Sequence, residues 1–198
     1  MNRFKDISQK FPAEAAAVGR LLAGYADLEI SLMHCVQMAR GGDLDTVLKA
    51  MFGSRGETQR INTANTLGKP AYDSVGLGSR FSTAISDMKF CLRIRNCYAH
   101  SLWHDANTGY LAFVNLEELA KAPSRVTNLL GLTIRYLDMN ILTEQERYLD
   151  FVDHSISFLN YESRYLKGDS ASNPFRLLRH TLSRHSTDLS SPRGVVAR

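Results

Sequence analysis

The stretch of the chain with the clearest chemical pattern is Arg95-Asn96-Cys97-Tyr98-Ala99-His100, late in a predicted helix. Arg95 carries a permanent charge on a planar fork that matches the oxygens of a phosphate. His100 can accept and release a proton near neutral pH. Asn96, one helical turn before His100, can orient the imidazole or a ligand through its amide. Together these residue types suit phosphodiester chemistry, in which a cation stabilises charge on phosphoryl oxygens while an imidazole moves a proton.

This chemistry needs no metal when the substrate is RNA, because the ribose 2′-OH supplies an internal nucleophile. The sequence has no cluster of acidic residues suited to Mg²⁺ and no Cys/His spacing typical of a zinc site. We therefore predict neither a metal nor another cofactor. Three polar residues on a helix also fit a purely structural role, so the residues by themselves leave both interpretations open.

A long helix over residues 79–103 is predicted to position the three side chains. Apolar residues fall on one face of this helix at about 100° per residue: Phe81, Ala84, Ile85, Met88, Cys91, Leu92, Ala99, Leu102 and Trp103. Continuing that face reaches Arg95 and Asn96, with His100 at its edge. Polar residues in such positions are satisfied within the fold, placed at an interface between subunits, or part of a site.

The remaining elements are predicted to be mostly helical. Apolar periodicity, glycine and proline breaks, and cap residues predict four more helices, over residues 11–41, 44–52, 57–67 and 143–166. The last begins at the capping box Thr143-Glu144-Gln145-Glu146. A short strand over residues 110–114 can pair with residues 132–137 as a hairpin. We therefore expect an all-α fold, an up-down bundle of four to five helices with a small β-hairpin before the last long helix.

Four further residues are auxiliary site candidates. Glu29 interrupts the apolar face of the first long helix. It either lies at the edge of that face and reaches water, or pairs with a cation from a neighbouring helix, for which Arg95 is the candidate. Arg60 lies beside the inner face of its own helix. Tyr98 and Trp103 either stack on a base or belong to the core.

Composition describes an ordinary globular chain with a basic end. The 198 residues are 44% hydrophobic and 22% charged, and the net charge is +4. Residues 168–198 hold five Arg against two Asp, a net charge of +3, so residues 1–167 are nearly neutral. We expect one helical domain over 1–167 and a basic, partly disordered tail over 168–198. The tail is either a solvated extension or a contact for nucleic acid or another acidic partner.

The expected compartment is the reducing cytoplasm. Three cysteines without a pattern are too few for a disulfide framework. The first ten residues lack the apolar region of a signal peptide. No apolar run reaches the roughly 18 residues of a membrane span, so we predict a cytoplasmic protein that does not enter a membrane.

The motif ending at His100 resembles that of the HEPN superfamily. Members carry an Arg, a polar residue after it that is often Asn, and a His four to six residues after the Arg, late in a helix of an all-α bundle. Arg95, Asn96 and His100 match this pattern. An acidic residue in the first long helix also fits the general plan. The resemblance covers roughly residues 12–167.

The resemblance implies a metal-independent endoribonuclease that cleaves RNA through attack of the 2′-OH. Many such proteins are toxins or act in defence against phage, and two copies of the motif typically form one composite site in a homodimer. Arg95 would stabilise the scissile phosphate, His100 would be the general acid and base, and Asn96 would orient it. An antitoxin is a further expected type of partner. Other members lack catalysis or serve as partners of nucleotidyltransferases.

The alternative interpretation is a non-catalytic HEPN-like module that binds a nucleotide, RNA or a partner protein. Residues 1–167 are nearly neutral and so lack the broad basic surface that is typical of nucleic-acid binding.

Overall fold

The computed structural model describes residues 3–53, 55–105, 107–121, 134–178 and 184. Within these ranges the chain is mostly helical with a small three-stranded antiparallel sheet, which confirms the expected helical class. The elements in chain order are α1 (Arg3–Lys10), α2 (Pro12–Ala39), α3 (Leu44–Phe52), α4 (Glu57–Ser74), α5 (Gly78–Ala99), β1 (Ser101–Asp105), β2 (Leu111–Asn115), α6 (Leu116–Lys121), β3 (Arg135–Tyr136) and α7 (Met139–Leu166). Among these, no helix combines the length and apolarity needed to cross a bilayer.

The described residues form two compact units. The first contains residues 3–23, 94–105, 107–121 and 134–146 with residue 184, and the second contains residues 24–53, 55–93 and 147–178. Helices α2, α5 and α7 each contribute to both units. The predicted motif at the end of α5 belongs to the first unit, whereas Glu29 and Arg60 belong to the second.

Helix α4 lies close to α2 and α5 in the second unit. The Tyr72 ring stacks on Phe81 with 4.4 Å between the ring centroids, and its hydroxyl donates to the Cys35 carbonyl at 3.1 Å. Gly68 lies beside the same ring, because a Cβ built there would be 2.7 Å from Cζ of Phe81. All of these groups are buried, so they form the part of the core that fixes α4 in place.

The prediction that α4 ends at residue 67 is wrong. The helix continues through Gly68-Lys69-Pro70 and ends at Ser74. A proline inside a helix costs about 3 kcal/mol because it removes a hydrogen bond and crowds the preceding turn. The burial of Tyr72, two residues after Pro70, supplies apolar contact that offsets this cost.

Helix α7 begins earlier than its sequence signal. The predicted capping box would start it at Thr143, but the helix starts at Met139 and the Thr143 hydroxyl donates to the Met139 carbonyl at 2.8 Å, inside the helix. Asp138 provides the first turn with an acceptor, since its Oδ1 receives the Asn140 N–H at 2.8 Å. The predicted end at residue 166 is confirmed, as are the bounds of α3.

Helices α5 and α7 are joined in the second unit by a buried hydrogen bond between Tyr148 and Asp87. The Tyr148 hydroxyl donates to Oδ1 of the buried Asp87 at 2.7 Å. The Tyr148 ring also meets the Phe90 ring edge-on, with 5.1 Å between centroids. A buried carboxylate needs a donor of this kind, because burying one without hydrogen bonds is costly.

The sheet differs from the predicted hairpin in one strand. The predicted strand over 110–114 is confirmed as β2, and its pairing with the later segment is seen in the register Ala112↔Tyr136. Residues 132 and 133 of the predicted partner lie outside the described ranges. The first partner of β2 is β1, in the antiparallel register Ser101↔Asn115 to Asp105↔Leu111, so the prediction that residues 101–103 continue the helix is wrong.

Helix α5 ends at Ala99 because the next residues pack better as a strand. From β1, the Trp103 ring lies 6.1 Å from Tyr98 and 5.5 Å from Phe113 of β2, between ring centroids. The turn back to β2 contains Asn107 and Gly109, both with positive φ, and Asp105 accepts the Asn107 N–H at 2.9 Å. Such turn residues favour the hairpin, and the aromatic contacts outweigh the helical periodicity of residues 101–103.

We predict that Gly68→Ala is less stable than Gly19→Ala by about 1–3 kcal/mol, because the added methyl group must displace a buried ring. Both glycines lie inside helices, and a Cβ at Gly19 meets nothing within 4 Å. Comparing the two variants therefore cancels the intrinsic preference of helices for alanine. Urea unfolding measures both free energies. Equal stabilisation by the two substitutions would contradict the close packing at Gly68.

We also predict an alkaline loss of stability that depends on Cys35. Burial raises the pKa of this thiol from 9.0 to about 12, an effect that the Tyr72 hydrogen bond partly counteracts. Above pH 9.0 the unfolded chain loses a proton that the folded chain retains, so the free energy of unfolding falls by about 1.4 kcal/mol per pH unit until the folded pKa is reached. In Cys35→Ala this contribution is absent. Urea unfolding at several pH values measures this fall in both proteins. If the free energy of unfolding falls equally steeply with pH in Cys35→Ala and in the wild type, the prediction is contradicted.

Candidate functional site

The three predicted catalytic residues lie at the end of α5, with Arg95 and Asn96 in the helix and His100 directly after it. Arg95 and Asn96 are half-buried, and Nη1 of Arg95 donates to Oδ1 of Asn96 at 3.0 Å. The His100 N–H donates to the Asn96 carbonyl at 3.2 Å, which completes the final turn. His100 is the residue between α5 and β1. The structure therefore brings the motif to one helix end, with the Asn96 amide oxygen engaged by Arg95.

The imidazole of His100 has an acidic neighbour that the sequence did not indicate. Its Nε2 lies 3.5 Å from Oε1 of Glu117, in the first turn of α6. The His100 side chain is 46% exposed and that of Glu117 is 42% exposed. The backbone joins the same two segments, because the Leu116 N–H donates to the His100 carbonyl at 3.1 Å. No local pattern in the sequence indicates that Glu117 lies beside His100, because the pairing of β1 with β2 brings them together.

Tyr98 and Trp103 lie in an aromatic cluster. Tyr98 is 2% exposed, and its hydroxyl donates to Oε1 of Gln145 at 2.7 Å. Burial raises the pKa of Tyr98 above its ordinary value, so the phenol stays protonated and keeps donating. Trp103, half-buried, lies nearly parallel to the Tyr98 ring and also contacts Phe113. This packing fits the core interpretation of both aromatic residues better than stacking on a base.

Glu29 and Arg60 form an ion pair within the second unit. Nη1 of Arg60 lies 3.0 Å from Oε2 of Glu29, which is 7% exposed. The Arg60 guanidinium also lies over the Phe52 ring, 4.9 Å from its centroid. Of the two interpretations of Glu29, the structure shows the buried carboxylate paired with a cation from a neighbouring helix. Arg60 supplies that cation, and a pairing of Glu29 with Arg95 stays a prediction.

The other groups that can ligate metals are dispersed. In the part of the chain that the structure describes, no three His, Cys, Asp or Glu side chains are grouped closely enough to hold a metal ion. Cys35, Cys91 and Cys97 are buried and free of disulfides. The arrangement at the end of α5 thus offers a guanidinium, an amide, an imidazole and a carboxylate, which are groups for binding an anion and moving a proton.

Comparisons with protein-family models, curated proteins and solved structures return no match to this chain. The HEPN resemblance therefore depends on the motif from Arg95 to His100 and its place at the end of a long helix.

We predict that Arg60→Met destabilises the protein by about 2 kcal/mol, because it leaves the buried Glu29 carboxylate without this cation. We expect less than the full cost of breaking a buried pair, because Arg60 is partly exposed. Lys49→Met is the matched control, since it breaks the exposed pair with Asp45 and should change stability by less than about 0.5 kcal/mol.

The double variant Glu29→Gln/Arg60→Met should recover part of the loss, because it also removes the buried charge. Urea unfolding of the four proteins provides the comparison. An Arg60→Met effect as small as that of the control would show that the pair contributes little.

Proposed function

We propose that this protein is a HEPN-type, metal-independent endoribonuclease that uses Arg95, Asn96 and His100. The observation that supports this proposal most strongly is the placement of the motif. Its residues lie at the C-terminal end of α5 and directly after it, Arg95 donates to Asn96, and the imidazole is about half exposed. A phosphodiester can therefore approach the imidazole from solvent.

The proposed reaction is an internal transesterification of RNA. His100 takes the proton of a ribose 2′-OH, and the 2′-oxygen forms a bond to phosphorus. The bond between phosphorus and the 5′-oxygen breaks, and that oxygen receives a proton from a protonated imidazole. Arg95 stabilises the negative charge that grows on the phosphoryl oxygens. The products are a 2′,3′-cyclic phosphate and a 5′-OH end, so neither an oxidant nor a metal-bound water takes part.

The proposal includes a homodimer with a composite site. Arg95 and Asn96 interrupt the apolar face of a helix that is otherwise largely buried. A second copy of the same helix end would cover them and would also provide one imidazole as base and another as acid. The finer arrangement we propose is an up-down bundle of four to five helices. In this proposal the protein acts in the cytoplasm as a toxin or in phage defence, with an antitoxin or a nucleotidyltransferase as a further partner.

We predict that the purified protein cleaves RNA in the presence of EDTA. His100→Ala should lower the cleavage rate by about 10²–10⁴-fold through loss of the acid–base group, and Arg95→Ala by about 10²–10³-fold through loss of charge stabilisation. His104→Ala is the matched control, because His104 is an exposed histidine on the neighbouring strand. Gel analysis of a labelled RNA measures the rates, and mapping of cyclic-phosphate ends tests the 2′-OH mechanism.

Cleavage that persists in both His100→Ala and Arg95→Ala would contradict the assignment of the site. The alternative, a non-catalytic binding module, is favoured by the existing contact of His100 with Glu117, which fits a structural role. It predicts that the wild type cuts no RNA and that His100→Ala lowers folding stability or dimer affinity. Sedimentation analysis beside the cleavage assay separates these two functions.

A further inference from the structure

We propose that Glu117 is a positioning residue that holds the His100 imidazole with Nε2 toward α6 and Nδ1 toward the substrate. This inference rests on the proposed function, since it assigns the atom that accepts the proton. It starts from the 3.5 Å separation between Nε2 of His100 and Oε1 of Glu117. A carboxylate at this position favours a ring that carries its hydrogen on Nε2.

The backbone around Glu117 is fixed by two hydrogen bonds. Oδ1 of Asn115 accepts the Glu117 N–H at 2.9 Å, which caps the start of α6. The adjacent Leu116 N–H donates to the His100 carbonyl at 3.1 Å. The pairing of β1 with β2 begins at Ser101↔Asn115, directly beside both residues. The contact between the two side chains is therefore built on a junction whose register is set by the sheet.

The carboxylate of Glu117 is also held from its other side. Nζ of Lys121 lies 3.8 Å from Oε2, the oxygen that does not face His100. His100 and Lys121 thus lie beside different oxygens of one carboxylate. Lys121 is largely exposed, so its pair with Glu117 is weak alone.

The orientation has a chemical consequence for catalysis. A neutral imidazole has one N–H donor and one acceptor nitrogen. With the hydrogen of Nε2 directed at Glu117, Nδ1 carries the lone pair that can accept the proton of the 2′-OH. After proton transfer, the imidazolium is paired with the Glu117 carboxylate, which stabilises the charged intermediate form of the ring.

The first experiment measures the ring itself and needs no RNA cleavage. Nitrogen-15 NMR of His100 at about pH 9, well above the ordinary histidine pKa of about 6.5, reports which nitrogen carries the hydrogen. We expect the wild-type ring to carry it on Nε2. In Glu117→Ala both tautomers should become populated, so the two ¹⁵N resonances should move toward each other. Asp45→Ala is the control, because it removes an exposed helical carboxylate that pairs with Lys49. Unchanged His100 resonances in Glu117→Ala would overturn the inference, whatever the activity.

The second experiment compares cleavage kinetics of three variants. Glu117→Ala should lower kcat by about tenfold, a part of the 10²–10⁴-fold effect of a complete acid–base group, with KM nearly unchanged. Glu117→Gln should lose less, because its amide oxygen can still accept from Nε2. Asp45→Ala should retain wild-type kcat. Circular dichroism confirms that each variant is folded.

The outcomes separate this inference from the proposed function. If Glu117→Ala cleaves RNA like the wild type while His100→Ala is inactive, the positioning role is overturned and the ribonuclease stands. If the wild type cuts no RNA, the proposed function fails, and the catalytic role of Glu117 fails with it. In that case a change in the His100 resonances would show that the contact is structural.

Discussion

The aromatic contact between Tyr98, Trp103 and Phe113 is the interaction on which the first unit depends. It joins the end of α5 to the two long strands of the sheet. Because Trp103 packs on these rings as part of a strand, the helix must stop at Ala99. The stop places His100 in the short connection between helix and strand. If the helix continued past Ala99, residues 101–105 could not pair with β2, and Glu117 would not be brought beside His100.

The second unit also depends on buried aromatic side chains. Its helices are held by large buried rings that are also hydrogen-bonded, such as Tyr72 with Cys35 and Tyr148 with Asp87. Each tyrosine supplies apolar area with its ring and satisfies a polar group with its hydroxyl. The buried pair of Glu29 and Arg60 adds a charged version of this arrangement. These three contacts offset part of the cost of burying the polar groups that make them.

The sequence predicted those elements whose signals are local. Helix α3 begins after the cap residue Asp43 and ends before Gly53, and its predicted bounds, residues 44–52, are correct. A cation beside Glu29 was one of two interpretations that its place on an apolar face left open, and the sequence did not identify Arg60 as that cation. Three features were not predictable from local pattern, because distant contacts decide them. Pro70 stays in a helix through the packing of its neighbours, β1 leaves the helical pattern through Trp103, and Glu117 reaches His100 through strand pairing.

The hairpin formed by β1 and β2 has its turn at the end opposite to His100 and Glu117. His100 and Glu117 lie where the strands begin and end, beside Ser101↔Asn115, whereas the turn around Gly109 lies at the other end. Five residues of strand span roughly 14 Å. The exposed ring of Tyr110 lies on this far turn. The turn is thus a natural place to attach a fluorophore or insert a short peptide, giving a handle on the protein that leaves the imidazole untouched.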